Sequence, residues 1–159
     1  GAASVGTNLR PTELIIFGPA DGMTVARSTG IGTGLFRIFN VRSGGNVELV
    51  NLNITGGQED DGGGILNTGM LTVSSSIVSG NEALGDGGGI SNEGTLTVSS
   101  STVSGNEADN GGGISSRGML TVNTSTVAGN EADDDGGGVF NDGTLTLMSS
   151  TVSGNKADG

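Results

Sequence analysis

The sequence predicts an all-β fold: a single-stranded parallel β-helix (β-solenoid) of about six coils of 24–25 residues, with three short strands per coil. Three observations carry that expectation. A Gly-Gly-Gly triplet starts at Gly62, Gly87, Gly111 and Gly136, in steps of 25, 24 and 25 residues. Aliphatic residues keep register inside each step: Ile65, Ile90, Ile114 and Val139; Leu71, Leu96, Leu120 and Leu145; Val73, Val98, Val122 and Leu147; Val78, Val103, Val127 and Val152. The segments around them alternate apolar with polar and are rich in Val, Ile and Thr, as half-buried strands are, and no helical period appears.

Taken along the chain, residues 1–8 read as an N-terminal extension and 9–37 as an irregular first coil. In that coil the strand-like stretches ELIIFGPADGMTV and GLFRIF are joined by ARSTGIGTG, whose Gly30-Ile31-Gly32-Thr33-Gly34 lacks the GKS or GKT of a phosphate loop and reads as a turn. Residues 38–61 form a coil without the triplet, in which Val41, Val47, Leu49 and Ile54 repeat the spacing of Ile65, Leu71, Val73 and Val78. Regular coils follow at 62–86, 87–110, 111–135 and 136–159. In the first of these, strands are expected near 65–67, 70–74 and 76–79, with corners at Gly69, Ser75 and Gly80. Such a unit cannot bury its inward face alone. Stacking pairs each strand in parallel with its counterpart ~4.8 Å away. About four inward aliphatic side chains per coil, worth roughly 1.5–3 kcal/mol each, then oppose the ordering entropy.

Polar residues recur with the same period. Asn81, Asn106, Asn130 and Asn155 mark one corner as an asparagine ladder, and Asn67, Asn92 and Asn141, with Ser116 substituting, mark another. Because every coil carries them equally, they read as corner-makers rather than as a ligand groove.

Composition narrows the chemistry. The 159 residues include 33 Gly and no Cys, His, Trp or Tyr, which removes disulfides, thiolate nucleophiles, Cys-based metal sites and the commonest general base. No apolar run reaches the ~18 residues that span a bilayer, so no membrane insertion is expected. The chain begins at Gly1 rather than Met, which reads as a processed mature protein or an excerpt. Residues 1–42 hold four Arg against Glu13 and Asp21, a net of +2; the remainder holds Arg117 and Lys156 against fifteen acids, a net of -13. So acidic a body repels nucleic acid.

The residues GGGI, LTVSSSTVSGN and the Asp or Asn before each triplet resemble the right-handed parallel β-helix repeats of large bacterial surface proteins, and are similar to those of polymorphic outer-membrane proteins. The resemblance covers residues 38–159 well and 9–37 loosely. It implies a right-handed helix, an extracellular or cell-surface site and a structural or adhesive role. The chain has GGG where the polymorphic proteins tend to have GGA.

An enzyme is not expected. The carboxylate clusters Asp60-Asp61 and Asp133-Asp134-Asp135 read as solvated corners, and no aromatic platform for a sugar exists. Calcium is the one cofactor candidate, weakly, because stacking aligns Asp61, Asp86 and Asp135, and likewise Glu82, Glu107 and Glu131. Asn110 and Lys156 interrupt those stacks. The outward ranks Thr72, Thr97, Thr121, Thr146 and Met70, Thr95, Met119, Thr144 suit ice or polysaccharide binding, or lateral packing. Sequons at Asn53 and Asn123 are glycan candidates. The leading expectation is a fibre protomer that stacks head to tail. Its joint would use Leu14, Ile16, Met23 and Val25 at one end and Val139, Leu145, Leu147 and Val152 at the other, with residues 1–8 reaching across. The alternative is a segment of a large adhesin or surface stalk with glycan or host-surface contacts.

Overall fold

The computed structural model describes residues 13–28, 30 and 34–159. Among them every strand is β and parallel to its neighbours, and no helix occurs, so none is long and apolar enough to cross a membrane. The chain is a β-solenoid. Four sheets run along it, two of six strands and two of five.

The coil at 87–110 shows the plan. Its strands are Ile90–Asn92, Thr95–Ser99, Thr102–Ser104 and Glu107–Ala108, one on each of four faces. The sequence led us to expect three strands per coil. The fourth has two residues, too short for any periodicity to register, yet it pairs in parallel along five coils. The described residues complete about five turns rather than six. The described residues between 13 and 37 add a strand to two faces, Leu14–Phe17 and Met23–Ala26, and near Phe36 the chain makes an antiparallel bridge to Gln58.

Register is that of the sequence repeat on all regular coils: Leu96 pairs with Leu71 and Leu120, and Val103 with Val78 and Val127. One assignment changes. Phe39, not Val41, pairs with Ile65, and Val41 lies opposite Asn67. The corner at Arg42–Gly45, closed by the Gly45 N–H on the Arg42 carbonyl (2.8 Å), is two residues longer than the corner it overlies. The strand before it is displaced accordingly.

The core is a stack of aliphatic side chains in single file. Leu49, Ile65, Val73, Val78, Ile90, Val98, Val103, Ile114, Val122 and Val127 are wholly buried. The triplet explains how so small a coil closes. Its first glycine takes a left-handed conformation (Gly87, φ 71°). A Cβ on the second, Gly88, would run into the backbone carbonyl of Glu107 on the opposite strand. On the third, Gly89, it would meet the Gly113 carbonyl and the Asn106 amide. Backbone therefore packs on backbone where a side-chain core would not fit.

Candidate functional site

Among the described residues, both axial ends of the solenoid expose apolar side chains. At the C-terminal end the inward ranks finish at Leu145, Leu147 and Val152, with Val139 beside them. Val98 and Val103 are wholly buried, whereas their counterparts Leu147 and Val152 are 48% and 46% exposed. They line a depression of about 450 Å³ together with Val139, Asn155 and Ala157. At the other end, Leu14, Ile16, Met23 and Val25 lie in register over Val47, Leu49, Leu52 and Ile54. Leu14 is 55% exposed and Met23 39%. All eight residues expected at a joint thus stand at inward positions of terminal strands. Residues 1–8 lie outside the described residues.

Three polar ladders run along the stack, one of them interrupted. In the first, Asn106 Oδ1 accepts from the Asn81 N–H (3.1 Å) and Asn81 Nδ2 (3.0 Å), while Asn106 Nδ2 donates to Val78 O (3.0 Å) and Asn130 Oδ1 (2.9 Å). The pattern repeats through Asn155, whose Oδ1 accepts from the Asn130 N–H and Nδ2. In the second, Asn67 donates to Asn92 Oδ1 (2.7 Å) and Asn92 to Ser116 Oγ (2.9 Å). There the shorter serine ends the relay, and the buried Asn141 Oδ1 has no partner. The third ladder went unread in the sequence. Ser76, Ser101, Ser125 and Ser150 each accept the N–H of the residue one coil back, at 3.0–3.1 Å. Each follows a corner residue with φ near 50° (Ser75, Ser100, Thr124, Ser149). The signal was present: position fifteen after each triplet's start is always Ser.

The acids separate into two groups. Glu82, Glu107 and Glu131 stand in register on the fourth face, all exposed. Lys156 continues that rank with Nζ 2.7 Å from both Glu131 and Asp158, and these hydrogen bonds, Asp158's first, hold its ammonium above the ordinary lysine value. The aspartates cap backbone: Asp61 Oδ1 accepts from the Asp86 N–H (2.9 Å), and Asn110 Oδ1 from the Asp135 N–H (3.3 Å). Asp86, nearly buried, pairs with Arg117 at 2.5 Å. That bond and the charge of Asp86, then of Asp61 and Glu93, raise the arginine further above its ordinary value. Among the described residues, no group of three or more Asp, Glu, His or Cys side chains converges on one point.

The outward ranks of the second and third faces carry hydroxyls and thioethers. Met70, Thr95, Met119 and Thr144 stand in one line, with Thr72, Thr97, Thr121 and Thr146 beside it. The sequon residue Asn53 lies within the strand Leu52–Thr55, and Asn123 ends the strand Met119–Asn123. A second open hollow, about 370 Å³, lies where residues 20–24 meet Asn51, Asn53 and Ile77; Asp21 is its one titratable group. No family model, curated protein or solved structure matches the chain.

Proposed function

We propose that the chain is a non-enzymatic structural protein that acts outside the cell or on its surface by stacking head to tail with a second copy of itself. The observation that carries this reading is the pair of axial ends: apolar, in register with the interior, and complementary in direction. Stacked in the internal register, Leu145 meets Leu14, Leu147 meets Ile16 and Val152 meets Val25 of the next copy. The two surfaces differ, so the contact is heterologous, and translation along the solenoid builds a filament rather than a ring. Charge contributes less than the raw sequence suggests, because Arg37 lies 4.0 Å from Glu59, whereas Arg27, held by Gly56 O and Gln58 Oε1, keeps its full charge.

A second reading, a segment of a larger adhesin or stalk, is favoured by one mismatch. In the same register the Ser150 N–H meets Met23 of the next copy, where every regular coil offers a serine hydroxyl. A further coil of the same polypeptide would supply one.

The 159-residue chain itself decides. Under electron microscopy the purified protein should form filaments that denature to the mass of one chain. The double variant Leu147→Asp with Val152→Asp should leave isolated subunits. Filaments of unchanged length from that variant, or single subunits from the parent protein at high concentration, would overturn stacking.

A further inference from the structure

Charge on this solenoid is segregated by face. From residue 62 onward, the strands of the second and third faces, Met70–Ser74, Ile77–Ser79 and their counterparts to Thr144–Met148 and Thr151–Ser153, contain no charged residue. All the acids of these coils lie on the other two faces and their corners. The uncharged strip also carries most of the large apolar side chains that point outward: Met70 (46% exposed), Ile77 (46%), Met119 (57%) and Met148 (46%). A chain of net charge -11 that is neutral and apolar on one side presents a surface suited to an uncharged partner or to its own copy.

The arrangement of large and small residues chooses between them. Along one rank the order is Met70, Thr95, Met119, Thr144. Along another it is Ser74, Ser99, Asn123, Met148, and across the corner Ile77, Thr102, Thr126, Thr151. If a second copy is laid on this strip with its coil order reversed and its strands running the same way, each rank faces itself end for end. Met70 then opposes Thr144, Met119 opposes Thr95 and Met148 opposes Ser74. Every large side chain meets a small one, and no two large ones collide, as interdigitating layers require. The unreversed pairing, with both solenoids pointing the same way, would set the Glu48 carboxylates of the neighbouring coil against each other, since Glu48 heads the central rank that continues as Thr72.

We propose that the second face forms a self-complementary interface, through which two copies pair side by side, antiparallel, about a twofold axis along its strands. The second face of these coils covers roughly 300 Å² at the strand and coil spacings of a β-sheet, well below the ~800 Å² per partner of stable complexes. A single pair of chains therefore associates weakly. This interface is independent of axial stacking, and where filaments form it multiplies along them.

The chain lacks cysteine, so the register can be read by cross-linking. Single variants Thr72→Cys and Thr146→Cys, mixed in equal amounts with a short bismaleimide, should give predominantly mixed dimers, because these positions oppose each other only in the antiparallel arrangement. Introducing charge with Thr97→Lys and Thr121→Lys in the same backgrounds should reduce the cross-linked fraction at least tenfold while leaving filament length unchanged. Predominantly like-with-like dimers would overturn the antiparallel register. Absence of dimers at concentrations where long filaments form would overturn the interface itself. Sedimentation of the parent protein with microcrystalline cellulose, or inhibition of ice growth, abolished by the lysine pair and unaccompanied by dimers, would assign the strip to that occupant instead. Filament length reads stacking alone, so failure of either idea is seen separately.

Discussion

Removing one rung of the buried amide ladder tests whether the repeat's asparagines hold the solenoid together or merely occupy its corners. Asn106 is 1% exposed and makes four side-chain hydrogen bonds between 2.9 and 3.1 Å. Asn106→Ala strands the Asn81 N–H, one hydrogen of the Asn81 amide and the Val78 carbonyl. A buried polar group left without its partner costs about 1–3 kcal/mol. Three such groups, with one satisfied by water entering the vacated space, give a loss of about 2–6 kcal/mol. Thr97→Ala, on the outward side of the same coil, should change stability by less than about 0.5 kcal/mol. Urea unfolding followed by far-ultraviolet circular dichroism measures both, and an equal slope for the two variants guards against a change in the unfolded state. Asn106→Asp supplies an internal control: it keeps the accepting oxygen and loses the donor, so its destabilisation should shrink on acidification as a protonated carboxyl regains a hydrogen. If Asn106→Ala unfolds within about 0.5 kcal/mol of Thr97→Ala, the ladder is decoration and the reasoning fails.

The other predictions follow from the same geometry. Ser116→Asn should extend the interrupted relay to Asn141 Oδ1 and raise stability by about 0.5–1.5 kcal/mol, the net worth of one or two hydrogen bonds, read as a higher urea midpoint. Gly88→Ala, whose methyl would enter the Glu107 backbone, should abolish cooperative folding. Gly105→Ala, with φ 62° and open space around it, should cost only about 1 kcal/mol of strain. Chelator should leave circular dichroism and the urea midpoint unchanged, because Asp61 and Asn110 already cap backbone N–H groups and Asp86 is taken by Arg117; a midpoint restored by added calcium would show those carboxylates serving a metal.

Most of the fold was legible because inward aliphatics and corner residues recur at fixed intervals, and in a solenoid the interval is the structure. Leu96 must lie between Leu71 and Leu120 once the period is known, and it does. What escaped had no period to reveal it or had two readings. The Glu107–Ala108 strand is shorter than one alternation. Val41 fitted the spacing of Ile65 by count, but a longer corner at Arg42–Gly45 moves it onto Asn67, and a count cannot see a loop's length change. The serine ladder hid within Ser-Ser-Ser and Ser-Ser-Thr runs, where three adjacent hydroxyls look alike until the backbone turns one of them inward. The Arg117–Asp86 pair joins residues 31 positions apart, off the period of 24 or 25, so stacking arithmetic alone does not bring them together.

The direction of the ladders explains why the two ends are unlike. In the asparagine ladder each coil donates its N–H and amide hydrogen to the coil that follows, as Asn81 does to Asn106. The serine ladder sends its N–H the same way, as Ser76 does to Ser101. The aspartate caps run in reverse, with the later coil donating, as Asp86 does to Asp61. The C-terminal face consequently turns outward the donors of Ser150 and Asn155 beside the accepting carboxylate of Asp135. At the opposite face Met23 stands at the serine-ladder position and offers no acceptor to the Ser150 N–H. A second C-terminal face offers no ladder of opposite direction to continue these bonds, so the ladders favour head-to-tail over head-to-head joining. In the stacking proposed above, apolar burial would supply the driving force, and these few polar atoms would give it a direction.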